Sequence, residues 1–573
     1  MIKYKISLII LFLLFIFLHF YGINWGIPNS RVSSLIFKDI ENIKKFTPAM
    51  LNTYLEIREI QSYYGIPYPS NYQQKEKVII KLDGDKRVSK ELINSCRSYL
   101  IRSSGADEQR GIIALSKMTP SKLDFNPRFY EYGGVYLYPM GAFFYLLSKL
   151  KILVLTSDMS FYFLHPEEMG KIYMYGRIFG ATGAFISIIV FFWICKELFQ
   201  DKRLIYLLTF FYGTSAGFVM WSHYLKPFSY GLLWFLSAIY FLIRFYKAKD
   251  TKWLYTASIF SGLSFGTLLT YGYIYWAVVI FILFFNKDIK WKIKNLIFTF
   301  IIFLGVFLIT NPYVFLSHKE FLQEIVYLRT YWHKEVSIKS ILIFLFNTLR
   351  YGMGTLLWIT VIIGFLLGFV YKSEKLNWMF LIIILPAFLY FAFTTPEWVH
   401  YIIFLYPFLI LSAGFFFSRI RLKIVEPILI IVALYTILYA CSYVNLLGRE
   451  NIRIEAGRWI NENIPSDKTI GLLEAPSPWR TPPFRFLDYK IIIAQNKTEI
   501  EKEKPAYFIV SEYQWLRGTG IEAIKEILSG YEIFKKFEKK PSLGWIKFKY
   551  PEYIPYDWCH PNPVILIWKR KEL

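Results

Sequence analysis

Long apolar runs alternate with short polar connections over most of the chain. Runs of this length and apolarity are typical of helices that cross a lipid bilayer. The first run covers residues 6–21. Ten more spans are predicted near 172–195, 204–221, 228–246, 254–271, 273–286, 296–311, 352–371, 378–394, 400–417 and 424–442. The pattern therefore predicts a polytopic α-helical membrane protein with about eleven spans.

Two long polar regions interrupt this pattern. Residues 23–171 mix Lys, Glu, Tyr and Pro and predict a loop with juxtamembrane helices, between a first span at 1–22 and a membrane core at 172–442. Residues 443–573 contain short strand-like runs and one helical stretch, separated by Pro and Gly, near 469–473, 490–494, 507–510 and 521–529. We expect a small C-terminal α/β domain there.

One apolar stretch inside the first polar region, residues 133–155, is long enough to be a span. Counting it as one would invert the sidedness of every later loop. We therefore interpret it as an amphipathic or re-entrant segment at the outer membrane interface.

Charge indicates the topology. The chain has 66 Lys and Arg against 42 Asp and Glu, a net charge of +24. The cations concentrate in alternate short loops, so the positive-inside rule predicts a cytoplasmic N-terminus and an extracytoplasmic C-terminal domain. The first run has no small-residue cleavage motif after it and is interpreted as a retained span. We thus expect a multi-pass cell-membrane protein that does not bind nucleic acid.

Composition excludes several other classes. Hydrophobic residues make up 55% of the chain, which excludes disordered and collagen-like proteins. The four cysteines have no metal-ligand spacing. Cys96 and Cys559 fall in the two large polar regions and could form a disulfide.

The first candidate for chemistry is the acidic pair Asp107-Glu108, which precedes a short helix in the first polar region. Two adjacent carboxylates could serve proton transfer. The alternative is structural, because acids are favoured at a helix N-terminus. Asp39 and Glu41 form a similar pair farther upstream.

The remaining candidates lie at the predicted outer ends of the spans. His223 and Lys226 occupy a tight turn between two spans, and Arg177 is near the start of another. A cation at headgroup depth can bind a lipid phosphate, although anchoring beside aromatic residues is an alternative. The same two interpretations apply to His318, Glu397, His400 and Tyr401.

Few ionisable residues fall in the middle of a predicted span. Transporters and proton relays usually place such residues at the midplane. The distribution favours an active site at the outer face that acts on a lipid-linked substrate.

Several short motifs, in this order, resemble the GT-C superfamily of membrane glycosyltransferases, and most closely its protein-mannosyltransferase and aminoarabinose-transferase-like branch. They are Asp107-Glu108, Tyr136-Leu137-Tyr138-Pro139, Gly176-Arg177-Ile178-Phe179-Gly180, the basic loop from Lys196, and residues 453–470. The chain departs from the family pattern in having Gly105-Ala106 before the acidic pair. It also has His223 and Lys226 where a second acid is common.

The resemblance implies transfer of a hexosyl or pentosyl group from a polyprenyl-phosphate donor to a protein, lipid or glycan acceptor. It implies Asp107 as the base, with Glu108 assisting or orienting, and Lys226, His223 and Arg177 as ligands of the donor phosphate. An acceptor or secondary site would involve His318, Glu397, His400 and Tyr401. No cofactor is indicated with certainty; Asp107 and Glu108 could ligate Mg²⁺ or Mn²⁺, but such oxygen ligands carry no metal signature.

Three alternatives remain open at this point. A lipid-linked glycan ligase or polymerase would use the same face with a larger acceptor. A lipid-linked sugar flippase or other transporter would need a hydrophilic cavity at the midplane or an internal repeat. A structural subunit would show no catalytic effect of changing Asp107.

Overall fold

The computed structural model describes residues 2–61, 77–82, 84–331, 337–370, 374–395, 397–420, 422–516, 520–548 and 554–571. Within these ranges the chain forms a helical membrane part, a largely helical first polar region and a small C-terminal α/β unit.

The first polar region follows α1 (Ile2–Phe20). Its elements are α2 (Ser30–Phe37), α3 (Ile40–Gln61), the antiparallel hairpin β1 (Lys77–Leu82) and β2 (Gly84–Ser89), α4 (Lys90–Ile101), α5 (Gln109–Ser116), α6 (Gly134–Lys149) and α7 (Met159–Leu164). The sequence predicted the helices here but not the hairpin. The helix α6 occupies the ambiguous stretch 133–155, and it is not among the helices long and apolar enough to cross a membrane in the described part of the chain.

The membrane part contains most of the helices. They are α8 (Pro166–Leu198), α9 (Lys202–Thr214), α10 (Ala216–Ser222), α11 (Pro227–Ala248), α12 (Thr251–Phe265), α13 (Ile274–Phe284), α14 (Ile289–Thr310), α15 (Pro312–Leu316), α16 (His318–Tyr331), α17 (Ile338–Ile343), α18 (Arg350–Met353), α19 (Thr355–Val370), α20 (Lys375–Thr394), α21 (Leu405–Phe417) and α22 (Leu422–Gly448).

Five helices, α8, α11, α14, α20 and α22, are long and apolar enough to cross a membrane. Two bent pairs raise the number to seven if each is one span: α9 with α10, bent by 54°, and Ile338–Met353 with α19, bent by 118°. Three shorter apolar helices cover Ile6–Phe20, Leu269–Phe284 and Leu405–Phe417. The polytopic helical class is confirmed, whereas the predicted number of eleven spans is not; α12, for example, does not meet the same test of length and apolarity.

Local sequence explains where the membrane helices begin. Asp201, Asp250 and Asp288 precede α9, α12 and α14, and each accepts a hydrogen bond from a backbone N–H of the first turn. This contact satisfies a donor that otherwise has no partner within the helix. Proline stands at the first position of α8 and α11, where its missing N–H costs nothing. These signals fix the short connections at both ends of the bundle.

The C-terminal unit comprises α23 (Ile452–Asn463), β3 (Thr469–Leu472), β4 (Lys490–Ile493), α24 (Lys497–Glu503), β5 (Tyr507–Ser511), α25 (Glu512–Leu516), α26 (Gly520–Ile527), β6 (Tyr531–Phe537), β7 (Ser542–Leu543), β8 (Ile546–Lys547) and β9 (Ile565–Arg570). Its five-stranded sheet has the order β4-β3-β5-β9-β6, and β7 pairs with β8 in a separate hairpin. The predicted strands β3, β4 and β5 and the helix α26 are present; β6 and β9 were not predicted.

The two polar regions pack together at one end of the membrane helices, which we call the outer face. The Tyr99 hydroxyl donates to the Thr481 carbonyl at 2.9 Å, and Asn461 Nδ2 donates to the Leu35 carbonyl at 2.9 Å. The backbone N–H of Tyr556 donates to the Glu397 carbonyl at 3.0 Å. The C-terminal unit is therefore tied both to the first polar region and to the loop before α21.

No disulfide joins the polar regions, because all four cysteines are free thiols. The suggested pairing of Cys96 with Cys559 is wrong. Both side chains are buried, and Cys559 Sγ donates to the Tyr556 carbonyl at 3.1 Å.

Candidate active site

Four separate segments bring polar side chains together around Asp107 at the outer face. Asp107 comes from the turn between α4 and α5, Lys226 from the turn before α11, His400 from the 3₁₀ turn before α21, and His560 from the segment before β9. Arg110 and Lys226 lie near enough to the Asp107 carboxylate to favour its ionised form, and the rings of His400 and His560 lie in the same neighbourhood. We call these five residues the Asp107 cluster.

The backbone at Asp107 is in the left-handed region, with φ of 63°. Aspartate is one of the few residues other than glycine that accept this conformation readily. The N-cap of α5 is Glu108, whose side chain makes no capping hydrogen bond. The capping explanation of the acidic pair therefore fails, and the two side chains serve other contacts.

The Asp107 side chain is accessible, with 47% of its surface exposed to solvent. The surrounding protein nevertheless removes part of the water around the carboxylate. The Arg110 Nε lies 3.3 Å from its Oδ1. Partial burial opposes ionisation, but the cations Arg110 and Lys226 outweigh it and hold the pKa of Asp107 below its usual value. At neutral pH this is an accessible, ionised carboxylate.

Glu108, in contrast, is completely buried and engaged. Its two oxygens accept from Arg177 Nε at 2.9 Å and Nη2 at 2.6 Å, and Oε1 also accepts from the Leu225 N–H at 2.7 Å. The Ser103 hydroxyl donates to Oε2. Burial opposes ionisation of Glu108, but the Arg177 charge and these donors lower its pKa overall. Glu108 is therefore closed to solvent, and its contacts hold the turn that carries Asp107 against α8 and the segment before Lys226.

The glycine before this pair has a steric reason. A Cβ on Gly105 would lie 2.2 Å from Glu108 Oε2, so a larger residue would displace the carboxylate. Gly105 thus makes room for the buried Glu108.

Arg177 is not placed to bind a phosphate, contrary to the prediction. It is fully buried, and Nη1 donates to the carbonyls of Ile23 at 2.8 Å and Trp25 at 2.6 Å. Its guanidinium lies 4.7 Å from the centre of the Trp25 ring. Together with Glu108, it joins α8 to the segment after α1 and to the turn before α5.

His223 is also closed to a ligand, so its predicted role in phosphate binding is wrong. Its side chain is fully buried, with Nδ1 2.7 Å from the Val219 carbonyl and Nε2 3.0 Å from the Tyr21 carbonyl. The imidazole joins α1 to α10.

Lys226 is the cation that stays available. Its ammonium lies 5.2 Å from the centre of the Trp221 ring, and Nζ has no hydrogen-bond partner among the residues that the structure describes. Burial lowers the pKa of Lys226, while the neighbouring Asp107 carboxylate acts in the opposite direction. A buried ammonium without a directly bonded anion is suited to receive one from a ligand.

His400 packs on the same Trp221 ring as Lys226. It also contacts Asp557, which the sequence did not indicate. Its Nδ1 is 2.9 Å from Asp557 Oδ2, and its backbone N–H donates to the same oxygen at 3.1 Å. The ring also packs 4.4 Å from Trp221 and 4.1 Å from Tyr401, between ring centres. Asp557 is fully buried, and burial raises its pKa to about 7.

His560, like Arg110 and Asp557, is a residue of this site that the sequence analysis missed. Its ring stacks on Tyr513, with centres 4.8 Å apart and planes at 12°, and it is 1% exposed. Neither ring nitrogen has a hydrogen-bond partner in the described part of the chain. Burial and the nearby Lys226 charge hold its pKa well below the usual value, so the ring is neutral. The local signal was a histidine in a proline-rich segment, which does not reveal where that segment packs.

A second charged layer adjoins Arg110. Arg110 Nη1 lies 2.7 Å from Glu131 Oε2. The Glu324 carboxylate of α16 accepts hydrogen bonds from the backbone N–H groups of Tyr130 and Glu131 at 2.9 and 3.0 Å. Burial, with the Glu131 charge adding to it, raises the pKa of Glu324 to about 7. This layer holds Arg110 against Asp107. Tyr401 also lies near Arg110 and Asp107.

Two other predicted residues lie elsewhere. His318 is the first residue of α16, outside the four segments that form the Asp107 cluster. Glu397 contributes its backbone carbonyl to Tyr556 rather than a side chain to the cluster. Asp39 and Glu41 are also accounted for locally, since Asp39 accepts from the Asn42 N–H and Glu41 pairs with Lys44.

A large, mainly apolar cavity of about 1280 Å³ lies next to this region. The helix α5, which directly follows Asp107-Glu108, supplies one wall. The lining of the cavity also includes Tyr138 and Tyr145 of α6, Tyr173 of α8, and the cations Arg102 and Lys117. The cavity could accommodate a long apolar chain near the polar cluster.

No group of three or more His, Cys, Asp or Glu side chains suited to hold a metal occurs in the described ranges. Asp107 and Glu108, which were considered as ligands of a divalent cation, have different surroundings. The Glu108 carboxylate is bound by Arg177, while the Asp107 carboxylate faces solvent.

Comparison with known proteins gives similarity at the level of whole structures. No family model matches the chain, and no curated protein matches it. It is similar to ArnT from Cupriavidus metallidurans bound to undecaprenyl phosphate, at 11% identity and a TM-score of 0.42, covering 82% of this chain and 95% of that one. The apo state of ArnT gives 12% identity, a TM-score of 0.40, and coverage of 81% and 93%.

A third similar structure is the arabinofuranosyltransferase AftD from Mycobacteria, at 10% identity and a TM-score of 0.39. The match covers 84% of this chain and 41% of AftD. These similarities are too low for properties of those proteins to be carried to this chain. The fold itself defines a multi-pass helical membrane protein with a polar cluster at the face that carries its α/β unit.

Proposed function

We propose that the protein is a GT-C-type membrane glycosyltransferase that moves a sugar from a polyprenyl-phosphate donor to an acceptor at the outer face. The observation that carries this proposal is an accessible, ionised Asp107 carboxylate close to the Lys226 ammonium, which forms no ion pair with a carboxylate among the described residues. A base and a phosphate-binding cation at one site are the two groups that such a transfer needs.

Asp107 takes the role of general base. The acceptor hydroxyl attacks the anomeric carbon, a new C–O bond forms, and the hydroxyl proton passes to Asp107. The bond between the anomeric carbon and the phosphate oxygen breaks, and its electron pair leaves with the polyprenyl phosphate. Arg110 keeps the carboxylate ionised, at the cost of some basicity.

Lys226 takes the role of phosphate ligand. Negative charge grows on the departing phosphate during the displacement, and a desolvated cation stabilises that charge more strongly than one in water. The neutral ring of His560 offers a further N–H donor, because neither of its nitrogens is used by the described protein groups. Arg177 and His223 take no part in this proposal.

The apolar cavity supports a lipid-linked substrate. Its volume of about 1280 Å³ and its mainly apolar wall suit isoprenoid units, and α5 connects that wall to the acidic pair. The sugar, hexosyl or pentosyl, and the acceptor, whether protein, lipid or glycan, stay open in this proposal. A ligase or polymerase would use the same groups with a larger acceptor.

The proposal is tested with purified protein in lipid vesicles that contain a radiolabelled polyprenyl-phosphate sugar and a panel of acceptors. Release of polyprenyl phosphate together with label on an acceptor supports it. Movement of labelled donor between leaflets without transfer would contradict it and favour a flippase.

A further inference from the structure

The hairpin β7–β8 carries a tryptophan that the protein leaves almost uncovered. Gly544 and Trp545 form its tip, with Gly544 in the left-handed region at φ of 57°. Trp545 is 90% exposed, the highest value among the exposed large hydrophobic side chains of the described residues. A large apolar side chain held out by a tight turn indicates a contact with something outside the chain.

The hairpin packs against a membrane helix. Asn445 Nδ2 of α22 donates to the Ser542 carbonyl at 2.7 Å. Phe548, which follows β8, packs on Tyr435 and Tyr439 of the same helix, with ring centres 5.8 and 5.3 Å apart. The hairpin is therefore fixed to the side of α22 and not to the body of the α/β unit alone.

The contacts on α22 indicate the depth of the hairpin. Tyr439 and Tyr435 lie nine and thirteen residues before the helix ends at Gly448. At 1.5 Å per residue, these positions are about 14 and about 20 Å below that end along the helix axis. Ile431 and Leu434, just before Tyr435, are apolar and 59% and 57% exposed, as expected for side chains that face lipid. Phe548 thus packs at the level where the lipid-facing surface of α22 begins.

The chemistry of the hairpin fits a membrane interface. Tryptophan is enriched at the boundary between headgroups and acyl chains, where its ring is buried and its N–H stays hydrated. Lys547 is exposed on β8 beside it, and a lysine at this depth can extend its ammonium to the lipid headgroups. Leu543 and Ile546 add apolar surface to the same hairpin.

We propose that the β7–β8 hairpin inserts into the outer leaflet beside α22, with Trp545 among the acyl-chain ends nearest the headgroups. The occupant of this surface is membrane lipid. The insertion anchors the C-terminal unit to the bilayer about ten residues before the segment that carries Asp557 and His560. This inference does not depend on the proposed transferase activity, because it concerns how the α/β unit is attached to the membrane.

The experiment places a spin label at the hairpin tip of the full-length protein in lipid vesicles. Trp545→Cys is compared with Glu501→Cys on α24, which is 65% exposed and serves as the matched control. Both are made in a Cys441→Ser background, because Cys441 is the least buried of the native cysteines. Collision with oxygen, which concentrates in lipid, is compared with collision with a water-soluble nickel chelate.

The label at 545 is expected to collide more with oxygen than with the nickel chelate, whereas the label at 501 shows the reverse. Equal and high access of the nickel chelate at both positions would overturn the proposal, since the tip would then be in water. Low access of both reagents at 545 would also overturn it, because that result indicates a protein partner.

Discussion

Glu108 and Arg177 form a two-bond ion pair in which neither side chain is exposed to solvent. The distances are 2.9 Å from Nε to Oε1 and 2.6 Å from Nη2 to Oε2. The pair joins α8 to the turn that holds Asp107, and the third bond from the Leu225 N–H reaches the residue before Lys226. One buried carboxylate therefore fixes the positions of both groups that we assign to the reaction.

Breaking this pair is expected to destabilise the protein strongly. Arg177→Leu leaves an uncompensated buried carboxylate, which costs roughly 3–5 kcal/mol. The fraction of protein that stays folded on heating in mild detergent measures this. The control is Glu41→Gln, which breaks an exposed pair with Lys44 and is expected to cost less than about 1 kcal/mol. Equal losses in the two variants would contradict the structural role.

Removing the Lys226 ammonium is expected to weaken donor binding. In Lys226→Met, loss of a charged partner for the donor phosphate, worth roughly 1.5–3 kcal/mol, raises the apparent Kd about ten- to hundredfold. Binding of the labelled donor to vesicles measures this, with Lys497→Met on the exposed face of α24 as control. Unchanged donor affinity in Lys226→Met would exclude this lysine as the phosphate ligand.

His560→Phe separates activity from stability. The substituted ring keeps the stacking on Tyr513 but removes two nitrogens that have no partner in the described protein, so stability is expected to stay level or rise by about 1 kcal/mol. Sugar transfer is expected to fall at least tenfold. Thermal unfolding and initial rates check the two halves. Full activity with increased stability would assign His560 a role outside catalysis.

The acid limb of the plot of transfer rate against pH should shift when Arg110 is replaced. Asp107 acts as a base when ionised, and its lowered pKa keeps the limb below the ordinary aspartate value of about 3.9. Arg110→Met removes a nearby cation, so the pKa of Asp107 rises and the limb moves to higher pH. Transfer rates measured across pH check this. An acid limb that stays at the same pH in Arg110→Met would show that protonation of Asp107 does not cause it.

Asp557 should make stability depend on pH. Its pKa is about 7 in the folded protein because burial raises it above the unfolded value, so the folded state holds a proton that the unfolded state has lost. Its contribution is complete below the unfolded pKa and is lost as pH rises through about 7, with a slope of at most about 1.4 kcal/mol per pH unit. Asp557→Asn should flatten the profile from pH 5 to 7.5. An unchanged slope would contradict this assignment.

Periodicity and turn residues were enough to predict the fold class and several individual elements. The strands β3, β4 and β5 lie in continuous apolar runs bounded by Pro and polar residues, and these are local signals. The strand β6 has a run of exposed residues between Tyr531 and Phe537, so its sequence lacks a clear burial pattern. It is a strand because β9 pairs with it.

The candidate site was predictable in part, for a physical reason. Asp107 was selected because two adjacent carboxylates precede a short helix in the first polar region, and Lys226 because a cation in a tight turn between two spans is conspicuous in the sequence. Arg177 looked equally suitable, but its donors are consumed by Glu108 and two backbone carbonyls, and local sequence does not reveal such long-range partners. Asp557 and His560 reach the site through the packing of the C-terminal unit, which no spacing along the chain indicates.

The most direct test of the account compares Asp107→Asn with Asp467→Asn, an exposed aspartate of the C-terminal unit that serves as control. Purified proteins in vesicles receive the labelled polyprenyl-phosphate sugar and an acceptor that wild type uses. We expect Asp107→Asn to bind donor normally and to lose at least about a hundredfold in transfer rate, since general-base catalysis contributes about 10² to 10⁴, while Asp467→Asn keeps the wild-type rate. Wild-type transfer by Asp107→Asn would contradict the central claim.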